Sequence, residues 1–345
     1  PNTVPCSIPT PNNMGVVRYV LALAVVVAHF NTLAGYDVWF PMSSYSGVGG
    51  FFALSGFLIY GSYIRKPDLK TYLLSRARRI LPAYWITVLF FAFVFGFIST
   101  AGIRDYFLSG EFWRYVVCNM AFLNFLQPAL PGVFSGFDIP AVNGSLWTMK
   151  VEWCLYLTPP AVAWLIRRLR VSPTLMFVLI YIAACGYRIA FRIMYENTEE
   201  EIYNIVGRQF LGQLSYFYIG VLCRYWFDEF MRHKYLLMVG AAVMMLLCDY
   251  VPYGYILIHP LALSVMVVWF SMVGRWGTWE GKRDNISYNI YLMHFPVIQM
   301  FVYFRGEGSV SAAPAFMLCI SVVWVLSWIL NMVEIRIRRR LQGAV

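Results

Sequence analysis

Hydrophobic residues run along this chain in long blocks, with polar residues gathered in the short intervals between them. Eleven apolar segments follow one another, at about 14–34, 46–63, 80–98, 112–126, 146–166, 173–193, 207–226, 235–250, 255–273, 286–304 and 311–333. Most are about 18 to 22 residues long, enough to cross a hydrocarbon core about 30 Å thick as an α-helix. The pattern predicts an all-α fold, a polytopic membrane helix bundle, and leaves no stretch over for a separate soluble domain. Residues 1–13 hold four prolines and no charge. They predict an extended N-terminal tail without the basic start and small-residue cleavage site of a secretory signal. Residues 14–335 are expected to form the transmembrane domain, and 336–345 a basic cytoplasmic tail.

The charges decide how many segments cross. If all eleven did, Arg167, Arg168 and Arg170 would fall on the side opposite Arg65 to Arg79, against the tendency of basic residues to stay cytoplasmic. The fourth segment is short and contains Arg114, Asn119 and Asn124. If it is re-entrant or lies at the outer interface, every basic cluster lands on one face: Arg65 to Arg79, Arg167 to Arg170, Arg232/Lys234, Arg275/Lys282/Arg283 and Arg336 to Arg340. The outer face then receives 35–45, the acidic 196–201 stretch, and turns near Pro252 and Gly306. The expectation is about ten crossings with both termini cytoplasmic.

Composition agrees with this picture and removes other classes. With 60% hydrophobic and 13% charged residues, the 345-residue chain has too little polar surface to clothe a water-soluble globule. The net charge of +10 lies in short intervals between apolar runs, so it argues for topology and against a nucleic-acid partner. The seven cysteines are scattered, mostly inside apolar runs, with no spacing that suggests a metal site.

Candidate chemistry comes from polar side chains that lipid does not tolerate without a partner. The first span carries Arg18 and His29, eleven residues apart, which places them on one helix face about 16 Å apart along the axis. The fifth segment opens Asn143-Gly-Ser-Leu-Trp-Thr-Met-Lys-Val-Glu152-Trp-Cys-Leu-Tyr156. In the ten-crossing arrangement it runs inward, with Glu152 about 9 Å below the outer boundary, a depth close to that of His29. A carboxylate beside an imidazole fixes its tautomer and steadies its protonated form, so this pair suits general-base chemistry; it equally suits a structural ion pair. Lys150 lies on nearly the opposite face and is expected to snorkel to the outer interface.

The second segment begins Gly47-Val-Gly-Gly-Phe-Phe-Ala-Leu-Ser-Gly-Phe57, small residues that let backbones approach closely and place Ser55 beside a packing seam or a ligand. The interval after it, read as a loop, carries Arg76, Arg78 and Arg79 before Pro82. Topology accounts for such charge, and guanidinium groups also suit phosphate oxygens such as those of coenzyme A. Ser287, Tyr291 and His294 recur at spacings of four and three, forming one polar stripe on an apolar helix. That stripe fits a cavity wall or a structural hydrogen-bond network. His233 and His259 have no partner that the sequence names.

These segments, in this order, resemble the acyltransferase-3 family of membrane O-acyltransferases. The resemblance rests on Arg18 with His29, Phe51 to Phe57, Arg76 to Pro82, Asn143 to Tyr156 and Ser287 to His294, and covers about 14–333. It implies a bacterial inner-membrane enzyme that carries an acyl group, acetyl above all, from cytoplasmic acyl-CoA to a hydroxyl of an extracytoplasmic or lipid-linked carbohydrate. No cofactor is bound permanently; acetyl-CoA is a co-substrate. His29 becomes the catalytic imidazole with Glu152 beside it, and Arg18, Arg76, Arg78 and Arg79 serve the donor. Ser55, Trp147, Tyr156, Ser287, Tyr291 and His294 line the pocket. Many relatives carry an added hydrolase-like domain, which this chain is expected to lack. The competing class is a multispan transporter or flippase of a small or lipid-linked solute. An internal repeat would favour it, and the fifth and tenth segments do not echo one another.

Overall fold

The computed structural model describes residues 12–276, 286–306 and 310–342. Residues 1–11 of the expected tail, Lys282 and Arg283, and the last residues, 343–345, lie outside the described residues. Among the described residues all regular structure is helical. The chain opens with α1 (Met14–Ala34), α2 (Ser44–Arg65) and α3 (Leu69–Val94), the last prolonged by a 3-10 turn at Phe95–Phe97. Two short helices, α4 (Ile103–Leu108) and α5 (Gly110–Met120), precede an irregular stretch, a 3-10 turn at Gly144–Leu146, and α6 (Trp147–Leu169). Then come α7 (Pro173–Thr198), α8 (Glu201–Gly207), α9 (Phe210–Tyr225), α10 (Phe227–Arg232) and α11 (Lys234–Leu247). After a turn at Cys248–Tyr250 follow α12 (Gly254–Leu257), α13 (His259–Met272), α14 (Ser287–Arg305) and α15 (Ala312–Gln342).

Among the described residues, five helices are long and apolar enough to cross a membrane: Met14–Ala34, Ser44–Arg65, Leu69–Phe97, Pro173–Thr198 and Ala312–Ile337. The fourth apolar segment folds as α5, whose 11 residues rise about 16 Å, well short of the hydrocarbon thickness. The interval expected to be a loop around Arg76 to Arg79 is instead the first half of α3. Its physical cause is local. The Asp68 carboxylate accepts from the Thr71 amide at 2.7 Å and caps the helix start, and the residues that follow are good helix formers. Hydrogen bonds from the Thr71 side chain and amide hold the Asp68 carboxyl below the usual carboxylate range. Pro82 lies inside the helix and does not end it.

The chain forms two compact units. The first comprises 1–21, 45–73 and 151–281. Within it the glycines of α2 act as the small-residue pattern predicts. A methyl group at Gly56 would lie 2.0 Å from the Phe217 carbonyl oxygen, and one at Gly220 would lie 2.0 Å from that of Ala53. The backbones of α2 and α9 therefore meet with no room for a side chain on either. Further along, α7 packs on α9, α9 on α13 and α13 on α11. Their shared core contains Phe57, Ile219, Phe227, Ala262 and Val268.

Two consecutive prolines in α6 show how the backbone is kept satisfied. Pro159 and Pro160 lack the N–H groups that would bond the carbonyls of Leu155 and Tyr156. The Thr158 hydroxyl donates to the first at 2.8 Å, and the Tyr72 hydroxyl donates to the second at 2.8 Å. Both repairs matter in a setting where no water can make them.

The second unit comprises 22–44, 74–150 and 282–345. Phe30 and Ala34 of α1 pack on Ile298 of α14 and on Ala315 and Cys319 of α15. The irregular stretch 121–143 is tied down by side chains. Asn119 donates to the Gln127 carbonyl at 2.9 Å, and Gln299 of α14 donates to the carbonyls of Ile139 at 2.6 Å and Ala141 at 3.1 Å. Such bonding is what non-helical backbone at membrane depth requires. The Lys150 ammonium lies 4.8 Å from the centre of the Phe125 ring in the same unit.

Candidate active site

The second unit assembles its polar side chains around His29. Nδ1 of His29 on α1 lies 2.8 Å from Nε2 of His294 on α14, and the two rings are nearly parallel, at 14°. The other nitrogen of His294, Nδ1, lies 2.7 Å from the Tyr291 carbonyl oxygen. A carbonyl only accepts, so Nδ1 of His294 carries a hydrogen. With both rings neutral, Nε2 of His294 is then an acceptor, and Nδ1 of His29 must be the donor. That leaves Nε2 of His29 with its lone pair. The order of hydrogen bonds thus fixes His29 in the tautomer a general base needs. His294 is 0% exposed, whereas His29 is half-buried.

The orientation of this pair depends on the motif around Asn143. Pro296 interrupts α14, and its missing N–H leaves the Leu292 carbonyl without its usual donor. The Asn143 side-chain amide fills that role at 2.9 Å. Asn143 is itself held by the Ser145 hydroxyl, which donates to Oδ1 at 2.6 Å. The Thr148 and Tyr291 hydroxyls are hydrogen-bonded at 2.9 Å. Between them, Gly144 gives space to Phe295: a methyl group there would meet the ring at 2.8 Å. Phe295 in turn stands edge-on to His29, with centroids 5.2 Å apart. The Asn-Gly-Ser turn is therefore a clamp on the part of α14 that carries His294.

The remaining predicted residues are distributed as follows. Tyr291 belongs to the His29 and His294 assembly, and Ser287 is buried at the start of α14. Trp147 begins α6 in this unit and is half-buried. Arg76 is half-buried on α3, whereas Arg78 and Arg79 are exposed there. In the first unit, Arg18 is half-buried near the start of α1 and Ser55 is half-buried on α2. Glu152 of α6 accepts a hydrogen bond from the Tyr156 hydroxyl, one turn along the same helix. The partner found on Nδ1 of His29 is thus His294, a pairing that sequence spacing did not suggest. Among the described residues no cluster of three or more histidines, cysteines or acids is arranged to hold a metal ion.

Comparison with known proteins identifies the family. A family model described as an acyltransferase domain matches residues 12–332. The chain belongs to the acyltransferase-3 family. As a member of it, with apolar helices of spanning length, the protein is an integral membrane acyltransferase. It is 25% identical to an O-acetyl transferase of Shigella phage Sf6 over 338 residues, covering 95% of this chain and 96% of that one. It is 28% identical to nodulation protein 10 of Rhizobium leguminosarum bv. viciae over 186 residues, 51% of this chain and 49% of the relative. No solved structure matches. In this acyltransferase-3 chain the matched region contains the His29 and His294 pair, the Asn143 clamp and the arginines of α3.

Proposed function

We propose that the protein is a membrane O-acyltransferase that moves an acyl group, acetyl in the first instance, from cytoplasmic acyl-CoA to a hydroxyl of an extracytoplasmic or lipid-linked carbohydrate. The observation that carries this reading is the hydrogen-bond order Tyr291 carbonyl, His294, His29, which leaves Nε2 of His29 unprotonated. Nε2 takes the proton of the acceptor hydroxyl as that oxygen attacks the thioester carbonyl. The tetrahedral intermediate collapses, the C–S bond breaks, and the proton passes from His29 to the departing thiolate, giving an ester and free coenzyme A. Arg18, Arg76, Arg78 and Arg79 are assigned to the phosphates of the donor, for which guanidinium geometry is suited. Glu152, bonded by Tyr156 within the first unit, is assigned as the second catalytic group. In a bacterial inner membrane with both termini cytoplasmic, this arrangement lets donor and acceptor approach from opposite sides.

The test uses the purified full-length protein in proteoliposomes, with acetyl-CoA and host surface glycan, and follows release of free thiol together with acetate on the glycan. His29→Ala is expected to abolish both while leaving the protein folded. Retained turnover would remove His29 from the centre of the reaction, and an absence of any interaction with coenzyme A thioesters would favour a transport role.

A further inference from the structure

The first unit contains a second polar assembly that the acyl-transfer reading does not use. His259, at the start of α13, is buried between two hydroxyls: Ser46 Oγ lies 3.0 Å from its Nε2 and the Tyr216 hydroxyl 2.8 Å from its Nδ1. The Tyr255 ring lies against it, with centroids 4.5 Å apart, and Tyr45 packs on Tyr255 at 4.9 Å. Next to these rings is Arg188 of α7, which is 7% exposed. Its Nη2 donates to the Tyr45 hydroxyl, and its guanidinium lies 5.4 Å from the Tyr45 ring centre and 5.9 Å from that of Tyr216. Its Nη1 is buried and has no hydrogen-bond partner among the described residues.

A buried guanidinium without a carboxylate is costly, which makes it a candidate for receiving a negative group. Among the described residues no carboxylate is paired with Arg188. Glu196 pairs with Arg192 at 2.7 Å and accepts from Tyr253 at 3.3 Å, and Glu201 accepts from Asn204 at 3.3 Å. The positive character is reinforced from two directions. Tyr45 and Ser46 sit in the first turn of α2, the positive end of a 22-residue helix. Arg208, exposed between α8 and α9, also acts electrostatically on Tyr45. Asp249 is the acid felt at His259. The backbone makes room for the assembly: a methyl at Gly212 would meet Arg188 Cγ at 2.9 Å, and one at Gly49 would meet the Tyr216 ring at 2.7 Å. Tyr45 and Ser46 are half-buried and Tyr255 is exposed, so the group opens toward the surface.

We infer that Arg188, with Tyr45 beside it, forms a binding site for an oxyanion, a carboxylate or a phosphate, at the end of the first unit where α2 begins. The oxyanion accepts from Nη1 of Arg188 and from the Tyr45 hydroxyl, whose own hydrogen is not needed for its bond with Arg188. The aromatic rings and His259 form the wall behind it. Assigning this oxyanion to the carbohydrate acceptor, as an acidic sugar or a lipid-linked phosphate, rests on the acyl-transfer reading; binding itself does not.

The experiment therefore contains no acyl donor. Purified full-length protein in neutral detergent is titrated with glucuronate and with inorganic phosphate at constant ionic strength, and thermal stability reports binding. In a second arm, nanodiscs of phosphatidylcholine alone are compared with nanodiscs that include phosphatidylglycerol, and native mass spectrometry reports retained lipid. Stabilisation by the soluble anions identifies an acidic group of the acceptor; retention of anionic lipid alone identifies a lipid phosphate. In either case Arg188→Gln is expected to weaken binding by about tenfold or more, the loss of a charge-assisted hydrogen bond. If that variant does not fold, Tyr45→Phe is expected to weaken it several-fold. Absence of binding in both arms, or affinities unchanged in whichever variant folds, overturns the assignment. Because acyl transfer is not measured, failure here leaves the role of His29 standing, and loss of transfer in His29→Ala leaves this site standing.

Discussion

The side-chain amide of Asn143 occupies the place of a backbone N–H on α14: it donates at 2.9 Å to the carbonyl of Leu292, the group that Pro296 leaves without a partner. The proline therefore creates a vacancy at Leu292 that a residue 149 positions before Leu292 fills. Asn143→Ala is expected to cost about 1–3 kcal/mol, the penalty for stranding a buried acceptor. In a Pro296→Ala background the helix regains its own N–H, and the same Asn143 change should cost markedly less. The coupling, about 0.5–3 kcal/mol, is read from a double-mutant cycle of unfolding in mixed micelles. Strict additivity would show that the two residues do not share the vacancy.

Tyr72 makes the corresponding repair in the first unit. Its hydroxyl is the donor to the Tyr156 carbonyl that Pro160 leaves open, and the ring is 4% exposed. Tyr72→Phe keeps the ring and removes only that bond, so a stability loss of about 1–3 kcal/mol is expected. Tyr156 also holds the Glu152 carboxylate, so a measurable drop in acyl transfer should accompany the loss. An unchanged melting transition would mean that the carbonyl finds another donor.

Two glycines should separate packing from chemistry. A methyl at Gly220 lies 2.0 Å from a backbone oxygen of α2, which cannot move without parting two helices. A methyl at Gly144 lies 2.8 Å from the Phe295 ring, a side chain that can turn. Gly220→Ala should therefore prevent stable folding, beyond the usual overpacking cost of about 1–3 kcal/mol, whereas Gly144→Ala should fold. The latter should lose activity, because the displaced Phe295 ring is the one standing against His29. Melting curves and acetyl release on the same samples check both halves.

The helices were legible because lipid demands long apolar runs, and these mark α1, α2 and α14 within a few residues. His29, Asn143 and the stripe from Ser287 to His294 were legible because polar groups are conspicuous in such runs. Their pairing was not. His29 and His294 are 265 residues apart, and nothing local says that α14 presents its polar face to α1. The nearest sequence clue was depth, which pointed to Glu152. Pro296 following an Asn-Gly-Ser turn could have hinted at the clamp, since every helical proline leaves a carbonyl to be satisfied. The arginines of α3 break the apolar pattern and so resemble a loop, although arginine is a good helix former. The Arg188 and His259 assembly has no short-range signature, as its members come from α2, α7, α9, α12 and α13.

The pairing of His29 with His294 makes its own prediction, and the choice of substitution carries the argument. His294 is assigned here to positioning: its Nε2 accepts from His29 and so keeps the lone pair of His29 on the opposite nitrogen. Leucine in its place removes the acceptor, and His29 is then free to hold its hydrogen on either nitrogen and to rotate. General-base assistance is worth about 10²–10⁴ in rate, so His294→Leu should lower kcat by about 10² or more. Glutamine can offer a carbonyl oxygen near the same place and should recover most of that loss. Because His294 itself holds neither substrate, KM for donor and acceptor should change little in either variant. If leucine and glutamine are equally impaired, or if KM rises while kcat holds, His294 is packing material or a binding group, and the tautomer of His29 is set by something else.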